Sequence, residues 1–172
     1  NRTQFKTGAM DHGYRCVAVN QCKSTQIMSI QRSAQDNWFS LCVRERANWT
    51  CESSGLVFDD GQAIGRCQGL ECCHIYGRRS KNVRWNGMNA VALTHYQHRY
   101  FTENPAHFIT WLNSYLGEEH MEILTERCND MRVKYSKADK KDISRHYRNE
   151  YKRMRKLRDE GQTGRIEFQN YD

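Results

Sequence analysis

This sequence has no long apolar run. Its apolar stretches are a few residues each, far short of the ~18 that a membrane-spanning helix needs. The segment Asn1 to Met10 lacks an apolar h-region, so it does not read as a signal peptide; a secreted protein would carry this sequence in its processed form. Hydrophobic residues make up only 38% of the 172, a lean core for a length that suits one domain. There is one proline. No Cys-x2-Cys pair occurs: besides the adjacent Cys72 and Cys73, the spacings are Cys16-x5-Cys22 and Cys67-x4-Cys72. Zinc favours ligand pairs two to four residues apart, so a metal role for Cys67, Cys72, Cys73, His74, His95 and His98 is disfavoured. No cofactor is expected. Neither an internal repeat nor a low-complexity tract is present.

Cysteine is what the chain does have. Of eight, seven lie between Cys16 and Cys73, and Cys128 stands alone. The even count and the clustering predict disulfides throughout: Cys16, Cys22, Cys42, Cys51, Cys67, Cys72, Cys73 and Cys128. Seven is odd, so one clustered cysteine must reach Cys128 and staple the two halves together. Adjacent Cys72 and Cys73 would bridge to different partners, and the connectivity stays open. A loop of ~15 residues closed this way contributes roughly 3 kcal/mol, which would offset the lean core. Such usage points to an oxidising compartment, hence a secreted, extracellular protein. No thiol would be left over to act as a nucleophile. The sequon Asn48-Trp49-Thr50 lies inside the cluster, so Asn48 is a candidate glycosylation site.

Periodicity predicts a strand at 14–19, a helix at 25–36, a strand at 38–44 and short strands at 56–58, 73–76, 83–85 and 90–94. Asn104-Pro105 starts a helix that Gly117 ends, and a second helix covers 119–128. Ser136 and Asp139 form a capping-box start for a long helix that Gly161 stops. A short strand is expected at 165–168. The fold class is α+β: a small antiparallel β-sheet with packed helices, disulfide-stabilised, plus a long C-terminal basic amphipathic helix. Residues 1–12 read as an N-terminal extension on which nothing is built, 13–131 as a disulfide-rich α+β domain, and 132–172 as the basic helix and a terminal strand packing on it.

The long helix carries ten basic and five acidic residues between Lys137 and Glu160, most of the formal net charge of +7. Ile143, Tyr147, Tyr151, Met154 and Leu157 fall on one face; Lys141, Arg145, Arg148, Lys152 and Arg155 fall on the opposite one. The apolar face suits docking on a small sheet and is weak for membrane insertion. The basic face is either a solvated back or a surface for a polyanion. Seven histidines raise a second possibility. His95, His98 and His107 cluster near Arg84 and Arg99, and paired imidazoles can run acid–base cleavage of a phosphodiester. His95 and His98 are then the first residues to test for a ribonuclease-like or cell-wall-active enzyme or toxin.

The order of a strand at 14–19, a helix at 25–36 and cysteine-bearing strands resembles the cysteine-rich effectors that plant-pathogenic fungi secrete. The nearest resemblance is to the avirulence-and-suppression group of the oilseed-rape stem canker and tomato leaf mould fungi. That resemblance implies an antiparallel sheet with a helix on one face, locked by disulfides. It also implies a non-enzymatic virulence factor that binds a host protein or modulates immune recognition. A monomer is expected.

Overall fold

A computed structural model describes residues 32–58, 69–130, 132 and 134–171. The strand expected at 14–19, most of the helix expected at 25–36, and Cys16, Cys22 and Cys67 lie outside these residues.

Helix α1 (Ala34–Arg46) begins at a reciprocal cap. Ser33 Oγ accepts from the Asp36 N–H at 3.4 Å, and the Asp36 carboxylate accepts from the Ser33 N–H at 2.7 Å. Two otherwise unpaired N–H groups are satisfied in this way. Phe39, Cys42, Val43 and Arg46 follow at three- and four-residue steps and are all buried. The strand expected at 38–44 is therefore corrected. Its residues are aromatic and β-branched, but the buried ones recur with the period of a helix, not of a strand.

Strands β1 (Leu70–His74) and β2 (Ala90–Thr94) pair antiparallel, with Leu70 opposite Thr94 and His74 opposite Ala90. Every residue of β2 is buried; α1 and the helix after β2 both pack on the hairpin. Asn89, with no exposed surface, organises the long connection. Its amide donates to the carbonyls of Tyr76 and Val83, and its side-chain oxygen accepts from the Tyr76 N–H at 2.7 Å. The strand expected at 83–85 is a turn here, 56–58 supplies a single bridge from Val57 to Thr50, and 165–168 joins no sheet.

Helix α2 (His95–Glu103) follows β2 directly and is capped by Thr94, whose hydroxyl accepts from the Gln97 N–H at 3.0 Å. Sequence reading misses it because Thr94, which opens the Thr94-x-x-Gln97 cap, is also the last residue of the strand. Helix α3 (Pro105–Leu116) starts at its proline and stops at Gly117, which has a φ of +88°, a conformation glycine adopts at little cost. Helices α4 (Glu118–Asn129) and α5 (Lys137–Asp159) complete the order. The second capping box forms as expected, between Ser136 and Asp139.

The fold is thus α+β, with a two-stranded antiparallel sheet and packed helices. Its disulfide stabilisation is overturned. Cys42, Cys51, Cys72, Cys73 and Cys128 are free thiols, and no disulfide is present among the described residues. The first four are buried and act as small core hydrophobes. Cys42 Sγ donates to the Tyr147 carbonyl at 3.2 Å, and Cys51 Sγ accepts from the Thr94 N–H at 3.3 Å. Cys72 and Cys73, as successive strand residues, project to opposite faces. Burial raises the Cys42 and Cys73 thiols, and pushes that of Cys72 up to about 11.

The expected staple at Cys128 is replaced by packing. α5 lies against α1, with Ile143, Tyr147 and Met154 wholly buried. Each such side chain contributes roughly 1.5–3 kcal/mol. Tyr147 is the centre of this contact. Its ring meets Phe39 edge-on at 5.2 Å and Phe168 at 5.9 Å, and its hydroxyl donates to the Trp85 carbonyl.

Candidate functional site

The apolar half of α5 is spent on the core, so its other half faces solvent. Lys141, Arg145, Arg148 and Lys152 are all exposed there. They rise along the helix in steps of about 6, 4.5 and 6 Å. Lys137 is exposed at the same helical register and extends the ridge by a turn. Arg145 pairs with Asp142 one turn earlier. Among the described residues, Lys141, Arg148 and Lys152 have no carboxylate within ion-pair distance. The Arg148 guanidinium lies over the Trp38 ring at 5.7 Å, a contact that holds the side chain while keeping its charge.

Arg155 does not belong to this ridge. It is half-buried and reaches Glu45 at 3.6 Å. Sequence periodicity put it in line with the others but could not reveal the carboxylate beneath it.

The ridge is held on a rigid base. Arg158 donates to the Glu45 carboxylate and carbonyl, joining the C-terminal turn of α5 to α1. Arg153 pairs with Glu150 and donates to the Glu167 carbonyl, and the Gln169 N–H donates to Glu150. These bonds tie the closing segment to one flank of the helix.

The histidine candidates divide. Antiparallel pairing brings Glu71 of β1 beside the first turn of α2, where His95 and His98 share one face. His95 Nδ1 lies 3.1 Å from one Glu71 oxygen and His98 Nδ1 lies 2.6 Å from the other. Burial raises the Glu71 carboxyl, but bonds from His98 and His95 outweigh it and hold it below its ordinary range. The other members of the expected constellation are elsewhere. His107 bonds the Tyr100 hydroxyl at 2.6 Å. Arg84 is bound to the buried Asp36 carboxylate at 2.6 Å, and the Trp85 indole donates to the same group. Arg99 pairs with Glu103.

No group of three or more His, Cys, Asp or Glu side chains is placed to hold a metal ion among the described residues. His74, adjacent to the two cysteines, instead bonds the Arg84 carbonyl through Nε2 at 3.0 Å. Asn48, the glycosylation candidate, is exposed in the turn after α1, where Asn48 and Trp49 both have positive φ. The buried Trp49 ring fixes that turn by donating its Nε1–H to Glu45 at 2.9 Å. No described helix is long and apolar enough to cross a membrane.

Compared with known protein families, with curated proteins and with solved structures, the chain matches none. The functional reading therefore stands on the chain's own geometry, and the resemblance to fungal effectors gains no support from a relative.

Proposed function

We propose that this protein works by binding and that the solvent face of α5 is its docking surface for a polyanion. The observation that supports this is the set of cations Lys141, Arg148 and Lys152, uncompensated among the described residues, on a helix whose other face is locked into the core. A surface cation without a carboxylate partner keeps its full field for an incoming anion, and several in line raise the association rate and affinity together. The test is retention on immobilised heparin. The variant with Lys141, Arg145, Arg148 and Lys152 all changed to Ala should elute at much lower salt than the wild type, with an unchanged thermal midpoint. Elution at the same salt would remove the basis of this reading.

A second reading rests on the Glu71 bridge. A carboxylate that orients two imidazoles through their Nδ1 atoms leaves both Nε2 atoms for proton transfer. Cleavage of RNA by purified protein, abolished by His95→Ala and by His98→Ala, would favour it. Retained cleavage in both variants would exclude it.

A further inference from the structure

We infer that the polyanion is double-stranded nucleic acid, held by its phosphate backbone along α5. This rests on the polyanion reading of the same ridge and narrows it to one class of partner.

Three observations lead there. First, the ridge is purely polar. Ile143, Tyr147 and Met154 are wholly buried against α1 and the closing segment, and the residues exposed along this ridge, Lys141, Arg145, Arg148, Asn149 and Lys152, are all polar. A helix that binds lipid needs an apolar face to lay into the interface; this one has committed its apolar face to the core.

Second, among the described residues the ridge offers no stacking platform. Proteins that hold single strands combine cations with exposed aromatic faces. The aromatic ring beside this ridge is Trp38, which is half-buried, carries the Arg148 guanidinium on its face and has Tyr151 at 6.1 Å. Its surface is occupied from within the protein.

Third, the cations form a straight, stiff line. They span about 16 Å of helix, in steps of about 4.5 to 6 Å. Duplex nucleic acid is the stiff, dense counterpart, with one negative charge per ~1.7 Å of axis. Two of the four cations are arginines, whose planar guanidinium matches phosphate oxygens two at a time. Contacts of this kind position a duplex without reading its sequence. Duplex DNA and duplex RNA offer the same chemistry to the ridge.

The test is fluorescence anisotropy at a series of salt concentrations. The probes are a labelled 24-base-pair DNA of arbitrary sequence, its RNA counterpart, and the corresponding single strands. Heparin and vesicles of one-third phosphatidylserine serve as competitors. Both duplexes should bind with dissociation constants on the order of 10⁻⁴–10⁻⁶ M near physiological salt, with little change on altering the sequence. Four phosphate contacts predict a slope of log K against log salt of about −3.6, and each single change (Lys141→Ala, Arg148→Ala or Lys152→Ala) should reduce that slope by about one. DNA against RNA then identifies the source.

Several results would overturn the inference. Single strands binding tighter than duplexes would do so, as would vesicles capturing the protein while duplexes do not. Heparin binding without duplex binding would overturn the duplex assignment and leave the polyanion reading standing. Binding to none of the probes would remove both. Duplex binding unaffected by all three single changes would place the contact elsewhere on the molecule.

Discussion

Glu45 and Arg158 stand 113 residues apart in the chain and meet at 3.1 Å, with only 1% of the Glu45 side chain exposed. Arg158 also donates to the Glu45 carbonyl at 2.9 Å, the Trp49 indole donates to the second carboxylate oxygen, and Arg155 approaches at 3.6 Å. One buried carboxylate therefore joins α1, the turn after it and the last turns of α5. Removing one partner of such a buried pair leaves a desolvated charge unpaired, at a cost of about 3–5 kcal/mol.

Glu45→Ala should accordingly lower the free energy of urea unfolding by about 3–5 kcal/mol. Arg158→Ala should cost less, because Trp49 and Arg155 still meet the carboxylate. A Glu45→Ala protein within about 1 kcal/mol of the wild type would contradict the assignment of this pair as the tie between the two helices.

Arg155 gives a way to separate stability from binding. It shares the helical phase of the exposed ridge, but its guanidinium turns to Glu45. Arg155→Ala is expected to lower the unfolding midpoint while changing heparin retention less than Lys152→Ala does. Lys152→Ala should do the reverse, since Lys152 is exposed and exposed side chains away from special contacts seldom shift stability by more than about 0.5 kcal/mol. Equal losses of retention in the two variants would return Arg155 to the ridge.

Much of the helical half was legible. Asn104-Pro105, Gly117 and the Ser136/Asp139 box mark helix ends by local chemistry, and α3, α4 and α5 fall where those signals put them. The strand at 90–94 is legible from a short, mostly apolar run that follows Gly87 and Asn89. α1 reads as a strand because Trp38, Phe39 and Val43 have high strand propensity, although the Ser33/Asp36 box marks a helix start. The basic ridge could be read from periodicity, but the separation of Arg155 from it depends on Glu45, a contact between distant parts of the chain. The disulfide framework failed because cysteine count carries two meanings. Small buried hydrophobes and bridge partners look alike in sequence, and only packing tells Cys42 beside the Tyr147 carbonyl from a cystine.

The thiols should differ in reactivity by burial. Under native conditions, iodoacetamide should label Cys128, which is half-exposed, well before Cys42, Cys72 and Cys73, which are buried and have raised thiol pKa values. Cys51 is a sharper case. Burial raises its thiol, but bonds centred on Ser54 and the Thr94 N–H lower it on balance, while only 1% of the residue is exposed. A lowered thiol without access should leave Cys51 unlabelled until the protein opens. Peptide mapping after native and denaturing alkylation separates these outcomes. A cystine-linked peptide joining any two of these five cysteines would refute the free-thiol assignment.

His74 sets the response of the fold to mild acid. Burial, with the positive charge of Arg78 nearby, holds its imidazole down at about 4, below the ordinary 6.5. Its Nε2–H donates to the Arg84 carbonyl, which favours the charged ring but is outweighed by burial. Between pH 6.5 and about 4 the unfolded chain accepts a proton there that the folded chain does not. Falling pH therefore favours unfolding across that window, by at most about 1.4 kcal/mol per pH unit. Asp36 acts lower down. Burial raises its carboxyl, but bonds from Arg84 and Ser33 outweigh that and hold it at about 2, so its contribution is complete above its ordinary 3.8 and is lost as pH falls toward 2. The two windows do not overlap at pH 5. Urea unfolding should thus show lower stability at pH 5 than at pH 7, and His74→Gln, which keeps a donor for the Arg84 carbonyl, should shrink that difference. A His74→Gln protein that loses as much stability between pH 7 and pH 5 as the wild type would move the acid sensitivity to another group.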